Sequence, residues 1–318
     1  MKPLLFEPVT SPYLVPFDGS FRIAHAPTHP SGSARPDKND KNDKNDKSDK
    51  SDRPDKKDNL KALEQAVEQL SKLQGKLYAD DRTSVLLVFQ AMDAAGKDGT
   101  IRSVMSGINP QGCQVYSFKA PSDEELDHDF LWRIQRALPE RGRIGVFNRS
   151  HYEEVLVVRV NPKFLGGQRL PRHPRGPEEL RTLWDERYES IRDAEHHWAR
   201  NGTVVLKFFL NVSQAEQRKR FLERLEDPED HWKFNAGDLA ESDKWDAYME
   251  AYEAALRATS RPWAPWYSIP ADSKSFMRRA VAEIVVGTLA QLDLRYPELS
   301  AEETAGLAQI RSRLAAGQ

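Results

Sequence analysis

The sequence predicts an α/β fold of three layers, a parallel sheet with helices on both faces. Three observations carry that expectation. Short apolar, β-branched runs recur along the chain, amphipathic helical stretches separate them, and the first run opens directly into a glycine-containing turn followed by a helix.

The periodicity of Leu60, Leu63, Val67, Leu70, Leu73 and Leu77 predicts a helix from about Asn59, with Gly75 weakening its last turn. Thr83 to Gln90 is continuously apolar, as a strand buried on both faces requires. Runs at 114–118, 143–147, 203–210 and 266–269 are read as four further strands. A helical stretch from Asp123 to Ala137 separates the second and third, and a long amphipathic helix from Pro177 to Arg200 precedes the fourth. The Pro-, Gly- and Arg-rich segment at about 160–180 reads as a lid.

Residues 1–57 are read as disordered, because proline is frequent early and a charged three-residue repeat takes over at 37–58 with no aliphatic or aromatic side chain. The folded domain is expected over 58–295, with an Ala-rich helical tail at 296–318. Forty-seven Lys plus Arg nearly cancel forty-nine Asp plus Glu across the 318 residues, so nothing global points to nucleic acid. A single cysteine, Cys113, excludes an intrachain disulfide framework and a thiolate zinc cage, which suits a reducing, cytoplasmic setting. No apolar run reaches the length of a transmembrane helix, and no membrane partner is expected.

The chemistry is concentrated after the first strand, in Asp93-Ala94-Ala95-Gly96-Lys97-Asp98-Gly99-Thr100. Strand, glycine turn and helix form a phosphate cradle in which backbone N–H groups and the helix N-terminus supply partial positive charge and Lys97 supplies a full one. The match to the usual phosphate-loop pattern is incomplete: Ala91 stands for the first Gly and Asp98 for the Ser/Thr that normally reaches magnesium, so Asp93 becomes the natural metal ligand. The third strand ends at Asn148, where such enzymes usually carry a metal-binding acid, and is followed by Arg149, Glu153 and Glu154. The two glutamates suit either a magnesium or substrate role or a simple dipole contact at a helix N-terminus. Arg102, Arg133, Arg136, Arg149, Arg159, Lys163, Arg169, Arg172 and Arg175 fall toward that end or along the lid, and such a row suits a long polyanion better than one nucleotide.

Six stretches together resemble the type 2 polyphosphate kinases over about Asn59 to Asp293. They are Gln90 to Arg102, Gly107-Ile108-Asn109-Pro110-Gln111-Gly112, Ser117 to Pro121, His128 to Arg133, Phe147 to Glu154, and Lys207 to Ser213. The resemblance implies a thymidylate-kinase-like P-loop core with a helical lid, a homodimer or homotetramer, and magnesium-dependent, reversible transfer between inorganic polyphosphate and AMP or ADP, giving ADP and ATP. Asn148 in place of Asp looks like the subgroup that accepts both AMP and ADP. By the same resemblance Asp93 holds magnesium and orients the acceptor, and Lys97 and Arg149 neutralise phosphate. Ala94, Ala95, Gly96, Asp98, Gly99, Thr100, Arg102, Lys119, Arg133 and Lys207 contact the polyphosphate, and Asn148 and Glu153 contact the nucleotide. The aromatics of Lys244 to Tyr252 are read as core before base platform. An ATP-dependent kinase of a small metabolite and a non-catalytic polyphosphate-binding protein are the alternatives.

Overall fold

A computed structural model describes residues 4–30, 56–226, 228 and 236–317. Five strands, β1 (Ser84–Ala91), β2 (Cys113–Ser117), β3 (Ile144–Asn148), β4 (Thr203–Asn211) and β5 (Trp266–Pro270), pair in the order β2-β3-β1-β4-β5, every pair parallel. β1 is central, and all eight of its residues are buried, as its unbroken apolar run requires. β2 has a neighbour on one side only, which leaves Val115 and Tyr116 exposed where the apolar run suggested a buried strand.

Helix α1 (Lys56–Asp80) buries Leu63, Ala66, Leu70 and Leu77 and packs along the later helix α10 (Lys274–Leu289). It runs past Gly75 to Asp80 without a break. The segment after α2 (Lys97–Val104) crosses α1 closely: a Cβ on Gly107 would sit 2.6 Å from Val67, and one on Gly112 would collide with Gln74. The glycines of that segment are thus required by the approach of two elements.

The expected helix at 123–137 is two single turns, α3 (Asp123–Leu126) and α4 (Trp132–Gln135). A capping box between Ser122 and Glu125 starts the first, and the Asp129 carboxylate accepts the Leu131 N–H at 2.9 Å, which restarts the chain instead of continuing it. After α5 (Val157–Val160), the presumed lid is a 3₁₀ turn over Pro162–Gln168 followed by a non-helical stretch up to α6 (Pro177–Arg200). Leu165 is buried, and Gln168 donates to Glu154 at 2.6 Å, so the first part of the segment is anchored to the domain. Helices α7 (Gln214–Glu226), α8 (Ala236–Ser242) and α9 (Trp245–Thr259) lie between β4 and β5, and α11 (Ala301–Ala315) comes last among the described elements with no buried residue. Among the described residues no helix is long and apolar enough to cross a membrane.

The N-terminal expectation needs correction. Residues 4–30 are packed, with Phe6, Val15 and Phe21 buried in the core. The Val15 N–H donates to the Trp266 carbonyl at 2.9 Å, and the Ser268 N–H donates to the Tyr13 carbonyl at 2.8 Å, so this segment covers the free edge of β5 at an antiparallel bridge between Leu14 and Tyr267. Three well-spaced apolar anchors and an unpaired strand edge achieve this without a periodic pattern. Of the charged repeat, 37–55 lies outside the described residues, and Lys56, Lys57 and Asp58 open α1.

Lys207 also departs from its expected role as a polyphosphate contact. On β4 it is wholly buried, donating to Glu195 of α6, to the Tyr152 hydroxyl at 2.9 Å and to the Thr259 carbonyl at 2.9 Å. Burial pulls its ammonium down to about 8, against the opposing pull of Glu195. No donor remains to meet a substrate. Because removing one partner strands the other charge, Lys207→Ala should lower the unfolding free energy by about 3–5 kcal/mol in chemical denaturation, whereas a loss below about 1 kcal/mol would contradict this assignment.

Candidate active site

The parallel register places Phe89 of β1 opposite Asn148, the last residue of β3, and β1 runs two residues further to Ala91. The Arg149 N–H then donates back to the Phe89 carbonyl at 3.1 Å. The turn after β1 passes through two left-handed residues, Ala94 at φ +62° and Gly96 at φ +99°, and Arg149 is left-handed too at φ +65°. Ala94 and Arg149 carry this conformation with a Cβ, a local cost that recurs where chains shape functional loops. Its result is a compact turn that runs directly into α2 at Lys97.

Across the gap between these two loops, Arg149 donates to the Asp93 carboxylate at 3.1 Å. Lys97, Arg149, Asp93 and Glu153 all sense one another electrostatically, two cations facing two carboxylates. Burial lowers the Lys97 ammonium below the ordinary lysine value, helped by Arg149. Burial likewise raises the Glu153 carboxyl, opposed by Arg149 and Lys97. Asp93, Arg149 and Glu153 line a cavity of about 270 Å³, closed on its far side by Tyr248 and Tyr252 of α9 and by Glu241. Tyr248 and Tyr252 are buried, as core residues should be, and they also form the wall of this cavity.

The P-loop is held from behind by α7. Gln217 donates to the Asp93 carbonyl at 2.9 Å, and Arg220 donates to the Ala94 and Ala95 carbonyls at 3.2 and 2.7 Å and to those of Ala271 and Asp272 at 2.7 and 3.2 Å. Nothing in the sequence pattern singled out Gln217 or Arg220. The one signal was an arginine on the buried face of a helix that directly follows a sheet strand.

Several expected contacts are placed differently. Thr100 is buried, and its hydroxyl donates to the Gly96 carbonyl at 3.0 Å, closing the first turn of α2 and leaving no hydroxyl for a phosphate. Asn148 donates to Asp98 at 2.7 Å, which ties the end of β3 to α2. Arg133 is buried, donates to the Lys119 carbonyl at 2.9 Å and lies over the Phe118 ring; it shapes the loop that presents the exposed Lys119. Arg102 is exposed on α2, beside Arg278 of α10. Ala94 and Ala95 give the turn its shape and are themselves buried, and Gly99 lies on the first turn of α2 against Arg278. His151 is buried against Glu195, and His196 stacks on Trp263.

The polyphosphate kinase 2 family model matches residues 53–297. The chain belongs to the polyphosphate kinase 2 family. It is 55% identical over 252 residues to an ADP-polyphosphate phosphotransferase of Rhodopseudomonas palustris, covering 79% of this chain and 86% of that protein. It is 47% identical over 239 residues to an AMP/ADP-polyphosphate phosphotransferase of Meiothermus ruber, covering 75% of this chain and 84% of that one. The crystal structure of polyphosphate kinase 2 from Arthrobacter aurescens superposes with a TM-score of 0.72 at 40% identity, over 80% of this chain and 87% of that chain. The three-layer arrangement with a parallel five-stranded sheet is therefore the fold of this kinase family as well as the fold the sequence predicts.

The depressed Lys97 ammonium sets an alkaline limit. Above pH 8, where phosphate substrates are fully ionised, kcat/KM should fall at a pH below the ordinary lysine value of 10.5 as Lys97 loses its proton, and Lys97→Arg should move that fall to higher pH. A profile unchanged by the substitution would remove Lys97 from the charge-bearing set.

Proposed function

We propose that the protein transfers the terminal phosphoryl group of inorganic polyphosphate to AMP and ADP, reversibly and with magnesium. The observation that carries this reading is the meeting of Asp93 and Glu153 with Lys97 and Arg149 at the mouth of the P-loop, in a member of the polyphosphate kinase 2 family. The AMP and ADP specificity is taken from the names of the two relatives.

In the forward direction an oxygen of the AMP α-phosphate or the ADP β-phosphate attacks the terminal phosphorus in line. The new P–O bond forms as the bond to the bridging oxygen breaks, and the polymer leaves one unit shorter. Such transfer passes through a loose transition state, so the protein contributes position and charge. Lys97, the N–H groups of the turn and the start of α2 hold the donor phosphate, while Arg149 neutralises the charge between donor and acceptor. Asp93, fixed by Arg149 and through its own carbonyl by Gln217, is held in one orientation toward the cavity.

Asp93 and Glu153 form a hard oxygen pair suited to magnesium, a cation that is commonly bound through one or two carboxylates with waters and substrate phosphates completing its shell. When bound, magnesium would be held by Asp93 and Glu153 and would offset the negative charge of the phosphates. The segment at about 160–180, with Arg169, Arg172 and Arg175, serves as the lid that excludes water. A cytoplasmic location and a homodimer or homotetramer complete the reading.

The direct test is chromatography of nucleotides after mixing protein, magnesium, polyphosphate and AMP. ADP and then ATP should appear, and Lys97→Ala should slow the reaction by ~10²-fold or more. No conversion of AMP or ADP would favour an ATP-dependent kinase or a polyphosphate-binding protein. Asn148→Asp would bring a second carboxylate within contact of Asp98, where the amide now donates. Its AMP activity should drop at least tenfold relative to its ADP activity, and an unchanged AMP-to-ADP ratio would take Asn148 out of acceptor selection.

A further inference from the structure

The N-terminal segment does more in this fold than cover the edge of β5. Ala91 of β1 lies one residue short of the level at which Asn211 of β4 pairs with Pro270 of β5, so the three strands end side by side. Residues 26–29 close over the last two of these ends. The Nδ2 of Asn211 donates to the carbonyls of Ala26 and Pro27 at 3.1 and 3.2 Å, and the Asn211 carbonyl accepts the Ala271 N–H at 3.0 Å. The Asp272 N–H donates to the Thr28 carbonyl at 3.0 Å, and the imidazole Nδ1 of His29 lies 2.9 Å from the buried Oδ2 of the Asp272 carboxylate.

Ala271 and Asp272 are also the residues that seat α7 against the P-loop. The other carboxylate oxygen of Asp272, Oδ1, accepts the Ser213 N–H at 2.7 Å, directly ahead of α7. Arg220 of α7 divides its buried guanidinium between two loops, Nη1 donating to the Ala94 and Ala95 carbonyls and Nη2 to those of Ala271 and Asp272. With Gln217 on the Asp93 carbonyl, every carbonyl from Asp93 to Ala95 is held by a side chain of α7. The guanidinium is planar and rigid, so a shift of the 271–272 peptide is carried across it to the P-loop. Ala94 is left-handed, a conformation that persists in a residue with a Cβ only where its surroundings impose it.

We propose that His29 and Asn211 are positioning residues for phosphoryl transfer: they fix Ala271 and Asp272 against residues 26–29, and through Arg220 that contact keeps the P-loop in the strained turn that receives the donor phosphate. The inference rests on the polyphosphate reading of the active site and adds to it residues that touch no substrate. Residues 4–30 lie outside the span 53–297 matched by the family model, so the support comes from a part of the chain which that model does not include. A slack loop would keep Lys97 and its N–H groups but would no longer aim them together at one phosphate. Preorganised donors lose their value on small displacements. The cost therefore falls on the donor, which the P-loop holds, and much less on AMP, which meets Arg149 on the neighbouring loop.

The test uses the full chain with magnesium and follows the binding of tripolyphosphate and of AMP, separately, by titration calorimetry alongside kcat. In a His29→Ala, Asn211→Ala double variant the Kd for tripolyphosphate should rise and kcat should fall, each about tenfold, with the Kd for AMP within about twofold of the wild type and the stoichiometry unchanged. His29→Asn, which keeps a side-chain N–H beside Asp272, should bind tripolyphosphate as the wild type does. Phe6→Leu loosens a core anchor at the other end of the segment, so it should lower the melting temperature and leave both Kd values unchanged. Three results overturn the positioning role while leaving the reaction intact: equal weakening of tripolyphosphate and AMP, a double variant indistinguishable from the wild type, or the same tripolyphosphate defect in Phe6→Leu. A wild type that transfers no phosphate from polyphosphate overturns the reading of the active site itself. Should the double variant fail to fold, His29→Ala alone, at a side chain 29% exposed, carries the same comparison with an expected effect of about threefold.

Discussion

The hydrogen bond from the Arg149 N–H to the Phe89 carbonyl is the interaction on which the site depends. It extends the β1–β3 register by one residue past the end of β3, and it turns the chain so that the Arg149 side chain faces Asp93. A parallel sheet brings the carboxyl ends of its strands to one edge, where ligands bind in this class of fold. The two loops that leave that edge differ in how they are secured. The P-loop is pinned by Gln217 and Arg220 through its carbonyls, whereas the 149–154 loop is pinned from below by Tyr152, whose hydroxyl joins the buried Lys207–Glu195 pair.

That division explains why two buried basic residues, Lys207 and Arg220, lie near a phosphate site without being offered to phosphate. Each is consumed by partners that are themselves structural: Glu195 and Thr259 for one, five carbonyl and carboxylate contacts for the other. A buried ion pair is weak evidence for net stability, but it is strict about geometry because either member alone is costly. Here that strictness is applied to the two loops whose separation defines the cavity. At the mouth of the P-loop, Lys97 and Arg149 are instead poised against Asp93 and Glu153.

Much of this was legible in the residues. Apolar runs located all five strands to within about a residue, and the turn after β1 identified itself by strand, glycine, lysine and helix in sequence. Asp93, Lys97, Arg149 and Glu153 could be named because they sit beside strand ends, and strand ends were readable. The failures share a cause: each depends on a partner distant in the chain. Lys207 looks like any strand lysine until Glu195 of α6 is placed over it, and Thr100 looks available until its hydroxyl is seen to donate to the Gly96 carbonyl. Residues 4–30 lack any period because they are shaped by the edge of β5 and not by a repeating face of their own.

The docking of residues 4–30 on β5 has a consequence for synthesis. These residues are made before all five strands, yet the strand they cover, Trp266–Pro270, is made last among the five. At about 5–20 residues per second the segment waits roughly ten to fifty seconds for its docking surface. Phe6, Val15 and Phe21 are without their native cover for that interval, and the sheet cannot be sealed until Trp266–Pro270 has been made. The edge of the sheet is therefore closed by a segment made about 250 residues before the strand it covers.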